Sequence, residues 1–323
     1  MNIRLSIPES FYDGEERSGY YVSPDMKKIW AVELDLIAEF SRVCEKNNLK
    51  WWINYGTLLG AVRHNGFVPW DDDVDIVMMR SDFEKLCALA DDEFKQPYHL
   101  RNPHNDPERP MEYAKLHNED TTLIDDYNSI AMIKHGRKFT YSQGIWIDIF
   151  PMYGVPDDDR TCRQIFRKLK LYRKLSSLCR KLIDNYYPAP TKWKRPFKAA
   201  LHFMAKAMNL GYDYRKYFAK FMETLDLMDD PNSIRTADFW PMITRPDFLA
   251  NFLLPRSFFG ETVYMTFEML TLPAPSCYEE MLTRYYGDWK KCVIRPPHGM
   301  FSDTERSYKY YIEYGLPDEV RIP

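Results

Sequence analysis

The sequence predicts an α+β fold in which a separate run of basic helices has been added to a strand-bearing core. Three features point there. Short apolar runs at 51–53, 74–79 and 145–150 have the length and the β-branched or aromatic content of buried strands, and helix-periodic stretches separate them. From Asp157 the pattern becomes long and amphipathic, and after residue 239 short strand-like runs return. Hydrophobic residues make up 45 % of the 323 residues and aromatics 15 %, enough to build a sizeable core.

Residues 1–22, rich in Tyr, Gly and charge, read as an extended arm. Ser23-Pro24-Asp25 starts a helix with a capping serine, proline at the first helical position and an acid in the first turn. Its apolar positions, from Ile29 to Val43, keep helical spacing up to Asn47-Asn48. Trp51-Trp52-Ile53 is a short strand, Gly56-Thr57 opens a second helix, and Asn65-Gly66 closes it with a left-handed pair. Val74 to Met79 is a buried strand, and Ser81-Asp82-x-Glu84 reads as the capping box of the following helix. Two strand-like runs between Tyr113 and Leu123 are split by Asn118-Glu119-Asp120. Gly144 to Phe150 is a third apolar strand carrying one acid, and Pro151 is expected to end it.

Downstream, Ile165, Leu169, Tyr172, Leu175 and Cys179 form a helical stripe with Arg and Lys on the other faces. A break at Tyr187-Pro188-Ala189-Pro190 separates this helix from others at about 193–209 and near 213–228. Residues 239–272 read as short strands with a turn at Phe259-Gly260-Glu261. Pro275-Ser276 starts a last helix closed by Gly287, and the final twenty residues are polar and surface-wrapping. The expected organisation is a core with N-terminal arm and helix over 1–156, a basic helical region over 157–230, and C-terminal strands and helix completing the core over 231–323.

Composition excludes several classes. No 18-residue apolar run exists and Met1 to Ser6 has no signal-peptide character, so a cytoplasmic protein is expected. The six cysteines are scattered, with no Cys-x-x-Cys pair and no His at zinc spacing, which reads as reduced and structural. The net charge of -3 hides an asymmetry: from Arg160 to Lys220 there are 17 Lys and Arg against two acids, about +15. Such a lobe suits an anionic substrate or surface, including the inner face of a membrane, because basic amphipathic helices lie on anionic lipid. No nucleic-acid motif accompanies it, so no nucleic acid is expected.

The chemistry is concentrated at Trp70-Asp71-Asp72-Asp73-Val74-Asp75-Ile76-Val77. Alternation on a strand puts Asp73 and Asp75 on one face and Val74 and Ile76 on the other. Packing like charges beside an apolar run is costly unless a cation neutralises them, and an all-oxygen set suits Mg²⁺ or Mn²⁺. If the strand holding Asp148 lies alongside, a third carboxylate joins. Gly56 and Thr57 place backbone N–H groups and a hydroxyl at a helix start, a phosphate cradle, and Arg63 at the far end is a candidate phosphate ligand. An EF-hand loop from Asp71 fails, because Ile76 stands where it needs glycine and Asp82 where it needs glutamate. An aspartyl-phosphate phosphatase fails too, since there the apolar strand precedes the first acid. A glycosyltransferase Asp-x-Asp site remains open, as does a non-catalytic glycan-binding or membrane scaffold.

The string Tyr55-Gly56-Thr57-Leu58-Leu59-Gly60-Ala61-Val62-Arg63-His64-x-Gly66-Phe67-x-Pro69-Trp70-Asp71-Asp72-Asp73-x-Asp75 closely resembles the LicD family, the phosphorylcholine transferases related to fukutin and fukutin-related protein. Gly144-Ile145-Trp146-Ile147-Asp148-Ile149-Phe150-Pro151 and Tyr285-Tyr286-Gly287-Asp288-Trp289 agree with it, so the resemblance spans roughly 50–290, while the basic helices match nothing assignable. The resemblance implies a nucleotidyltransferase fold, with the mixed-sheet core shared with polymerase β. It implies cell-surface glycan biosynthesis: transfer of a phospho-alcohol, phosphocholine first, from a CDP-activated donor such as CDP-choline to the hydroxyl of a glycan or lipid-linked glycan, with CMP released. In this reading Asp73, Asp75 and Asp148 hold metal, Gly56 and Thr57 hold phosphate oxygens, and Asp148 draws the acceptor proton. Arg63 or Lys115 steadies the developing charge.

Overall fold

The computed structural model describes residues 2–105, 111–124, 144–184, 195–207, 214–294 and 301–304. The Pro-rich break at 187–190 and the last nineteen residues lie outside them. The arm contains a hairpin, β1 (Glu15–Arg17) and β2 (Tyr20–Val22). Helix α1 (Pro24–Lys46) starts where expected, and the Ser23 hydroxyl accepts the Met26 N–H at 3.2 Å. Trp30, Leu34, Ile37 and Phe40 are fully buried. Then come β3 (Trp52–Ile53), α2 (Tyr55–His64) and β4 (Asp75–Met79). Asn65 takes a left-handed conformation (φ 50°) at the end of α2. Helices α3 (Arg80–Ala88) and α4 (Ala90–Glu93) precede β5 (Tyr98–Arg101), β6 (Ala114–Asn118), β7 (Thr122–Ile124) and the long β8 (Ile145–Val155).

The basic region follows as α5 (Asp159–Asp184), α6 (Arg195–Ala207) and α7 (Tyr214–Met228). Helix α5 buries Cys162, Phe166 and Leu169, and α7 buries Phe221, Leu225 and Met228. The chain then returns to the core through β9 (Arg235–Ala237), α8 (Phe239–Thr244), α9 (Phe248–Asn251), β10 (Leu254–Pro255), the hairpin β11 (Thr262–Phe267) and β12 (Leu270–Pro275), α10 (Tyr278–Tyr286) and β13 (Phe301–Asp303).

The architecture is α+β with a mixed sheet. Strand order runs β10-β9-β8-β4-β3, with β6 also paired to β8 and β5 to β6. Strand β4 is parallel to β8, and the other pairings in this sheet are antiparallel. Strand β8 is the spine: β4 covers one of its edges, while β6 and then β9 share the other.

Three expectations are corrected. Pro151 does not end β8; it sits mid-strand opposite Met78. The Asp148 N–H bonds to Val74 on the β4 side, so period-two alternation turns the nitrogen of residue 151 to the opposite edge. There β6 has ended at the partner of Ile149 and β9 begins at the partner of Tyr153, so the missing donor falls in a gap. The capping box at Ser81 does not form either. Helix α3 begins at Arg80, directly off β4, so Ser81 and Asp82 lie inside its first turn, and Asp82 accepts the Lys50 N–H instead (3.2 Å). Finally, 239–244 and 248–251 are helical rather than extended. Asp238 caps α8 by accepting the Trp240 N–H at 2.8 Å, and Pro241 sits in the first turn, where it costs no helical hydrogen bond. The hairpin turn falls at Glu268-Met269, where the Glu268 carboxylate accepts from Arg17 (2.6 Å) and from the Phe67 N–H (3.1 Å).

Gly60 fixes the approach of α2 to the loop that follows it. A Cβ there would meet the Gly66 carbonyl oxygen at 2.3 Å and the Val68 nitrogen at 3.0 Å, both backbone. Gly60→Ala is therefore expected to destabilise by about 2 kcal/mol, read as a lower urea midpoint with an unchanged slope.

Candidate active site

The sheet register assembles the site. Asp75 on β4 stands opposite Asp148 on β8, and Asp148 stands opposite Lys115 on β6. Residues in register share a face, so Asp75, Asp148 and Lys115 form a row across three strands. Lys115 Nζ lies 3.2 Å from Asp148 Oδ1 and 3.5 Å from the centre of the Trp146 ring. Its side chain is buried and already engaged. In this structure Lys115 holds Asp148 in place.

Thr57 likewise has an internal partner. Its side chain is buried, and its hydroxyl accepts the Asp75 N–H at 2.8 Å while the Asn54 N–H donates to the Asp75 carbonyl at 3.0 Å. The start of α2 thereby clamps the first residue of β4. Gly56 remains open to the cleft, and a Cβ there would lie 2.6 Å from Asp71 Oδ2.

Asp71, Asp73, Asp75 and Asp148 line one pocket of about 730 Å³. Burial first, then the charges of Asp73, Asp148, Asp71 and Asp238, hold the Asp75 carboxyl well above the usual carboxylate range. Asp72 is buried rather than solvated. Beneath the acidic loop, α1 supplies two supports that the sequence reading did not single out. Trp30 Nε1 donates to the Asp71 carbonyl at 2.8 Å. Glu33 is fully buried, neither of its carboxylate oxygens has a hydrogen-bond partner, and burial followed by Asp72, Asp73, Asp71 and Asp148 drives its pKa well upward. The signal for it was present: Glu33 interrupts the apolar face marked by Trp30, Ile37 and Phe40. An oxygen-only donor set of clustered carboxyl groups fits a hard divalent cation. Among the described residues no three acidic, His or Cys side chains are gathered tightly enough to enclose an ion as they stand.

Across the pocket the character is cationic and aromatic. Arg63 lines it; Nη1 donates to the Trp289 carbonyl at 3.4 Å, while Nη2 is buried without a partner. Arg245 and Lys291 are further cations on the lining. Tyr285 leans on Tyr55 (ring centres 5.1 Å apart) and stacks on Phe252 (5.1 Å, 13°). Below them the Tyr55 hydroxyl donates to Asp238, a buried carboxyl pushed up to about 6 by desolvation. Sequence reasoning had no handle on Asp238, Trp240 or Arg245, which reach the pocket, or its supporting shell, only through the return of the chain after the basic helices.

Fold and site together define an α+β domain whose mixed sheet carries a cleft lined by acids and, across from them, by cationic and aromatic side chains. Residues 48–170 match the family model described as LicD/FKTN/FKRP, nucleotidyltransferase domain, and the chain carries a LicD-family domain. It is 26 % identical over 264 residues to the lipopolysaccharide cholinephosphotransferase LicD of Haemophilus influenzae, covering 80 % of this chain and 88 % of that protein. Uncharacterized proteins of Rickettsia prowazekii and Rickettsia typhi are each 53 % identical to it over 47 residues, 15 % of this chain and 18 % and 15 % of theirs.

Two outcomes are expected. Lys115→Met removes the cation 3.2 Å from Asp148 and should destabilise by about 3 kcal/mol, with much of the loss recovered in Lys115→Met/Asp148→Asn, measured as a double-mutant cycle in urea. For Asp238, whose folded pKa of about 6 exceeds its ordinary 3.8, the folded state binds the proton more tightly. Its contribution to stability is full below that ordinary value and is lost as pH rises through about 6. Asp238→Asn should flatten that decline in a urea series across the same range.

Proposed function

We propose that this chain is an enzyme that transfers a phospho-alcohol, phosphocholine in the first place, from a CDP-activated donor to a glycan or lipid-linked glycan hydroxyl, releasing CMP. One observation carries the reading: two carboxylates in register on parallel strands face, across one pocket, an arginine whose buried Nη2 has no partner. The relative from Haemophilus influenzae, matched over most of its length, is named for cholinephosphate transfer to lipopolysaccharide.

Asp73, Asp75 and Asp148 would hold Mg²⁺ or Mn²⁺, which when bound supplies the positive charge that neutralises the donor's phosphates. Arg63 Nη2 donates to a phosphate oxygen, and Gly56, with no side chain, lets the phosphate approach the start of α2. Asp148, kept in place by Lys115, accepts the proton of the acceptor hydroxyl as its oxygen bonds to the distal phosphorus. The bond from that phosphorus to the bridging oxygen breaks, and CMP leaves with the electron pair. The exposed ring of Trp240 on the pocket lining offers a face to a quaternary ammonium, which favours choline over ribitol or glycerol as the donor alcohol.

CDP-choline with Mg²⁺ and lipopolysaccharide should yield CMP, and Asp73→Asn and Asp148→Asn should each lower kcat by about 10³ without unfolding the protein. In a thermal-shift panel CDP-choline should stabilise by about 2.7 kcal/mol at one hundred times its Kd, and UDP-glucose should not. Release of UDP from UDP-sugars, with CDP-choline inert, would replace this reading with glycosyl transfer.

A further inference from the structure

The basic helices carry a feature that the cleft does not use. Helix α6 presents Phe197, Ala200, Phe203, Met204 and Ala207 to solvent. At 100° per residue these positions lie within about 120° of one another around the helix axis. Phe197 and Phe203 are 71 % and 72 % exposed and Met204 is 54 % exposed, so among the described residues an apolar stripe of helical spacing lies open. Two more large apolar residues, Leu171 and Leu178, stand seven positions apart on one side of α5 at 52 % and 49 % exposure. A water-soluble helix normally turns such a stripe to the core, and a contiguous exposed one marks an interaction surface.

Charge says what covers it. The stretch from Arg160 to Lys220 holds 17 of the chain's 44 Lys and Arg but only two of its 47 acids. An apolar stripe bearing aromatic residues within a strongly basic segment matches an anionic lipid interface: rings enter the boundary between headgroups and acyl chains, and ammonium and guanidinium groups meet lipid phosphates. The rest of the chain is strongly acidic, so repulsion from the same surface turns the acidic cleft away from the headgroups. No helix among the described residues is long and apolar enough to cross a membrane.

We propose that α6, supported by the basic face of α5, docks this protein on an anionic bilayer, with Phe197, Phe203 and Met204 as the inserted anchors. The occupant is lipid rather than a second copy of the chain, because two lobes of this charge repel each other.

The test is flotation of the full chain with vesicles of phosphatidylcholine alone or with about 30 % phosphatidylglycerol, in the absence of nucleotide, so the result does not depend on the proposed transfer reaction. The chain should float at least tenfold more with the anionic vesicles, and about 0.5 M NaCl should abolish most of the difference. Phe197→Ser/Phe203→Ser should reduce the bound fraction about tenfold with its thermal midpoint and CMP release unchanged. Equal binding to neutral vesicles, or a variant that floats like the parent, overturns the proposal. So does a variant of lowered thermal midpoint, which would show that the stripe packs on the protein itself. A parent dimer in size exclusion that becomes a monomer in the variant would assign the face to a second copy, and also overturns it.

Discussion

The parallel pairing of β4 with β8 is the constraint on which the rest of the molecule turns. It sets Asp75 beside Asp148 on one face of a sheet, where water is scarce and like charges repel. A fold does not accept such a pair for stability. Lys115, brought to the other side of Asp148 by β6, offsets one charge and leaves the second unrelieved. In the proposed reaction this clustered charge is what would draw a divalent cation and, with it, the donor's phosphates.

Much of the surrounding structure serves to hold this unfavourable arrangement still. The Thr57 hydroxyl and the Asn54 N–H grip both ends of the Asp75 peptide unit, so α2 and β4 move together. Trp30 holds the acidic loop by its backbone, and its ring stacks on Phe67 at 4.6 Å, which joins α1 to the segment between α2 and that loop. Arg17 and Glu268, far apart in sequence, close over the same segment. Glu33, buried without a partner below the loop and pushed toward its neutral form by burial and the neighbouring acids, stands where apolar packing would have been more stable. Stability is spent here on carboxyl groups whose charge a bound cation would bring into balance.

Local signals read true where one or two residues decide the backbone. Ser23 with Pro24 capped α1, Asn65 closed α2, and the alternation of Asp73, Val74, Asp75 and Ile76 gave the correct buried and cleft faces. The reading failed where a residue's meaning depends on its neighbours in space. Pro151 looked like a strand terminator because the gap between β6 and β9 is invisible along the chain. Thr57 and Lys115, read as ligands for phosphate and for developing charge, also hold internal partners through the sheet that no local window announces.

The sequence by itself determined the acids, their spacing and the glycines that let α2 approach its own loop, because those depend on side-chain chemistry and on period-two alternation within a few residues. It also determined the basic character of the inserted helices, which is a matter of counting. Only the tertiary structure decided that Asp148 lies beside Asp75, that Glu33 sits beneath them, and that Trp240, Arg245 and Trp289 close the pocket from the far end of the chain. Those placements follow from strand register and from the return of the chain after α7, which are set by long-range packing and leave no mark in any local window of residues.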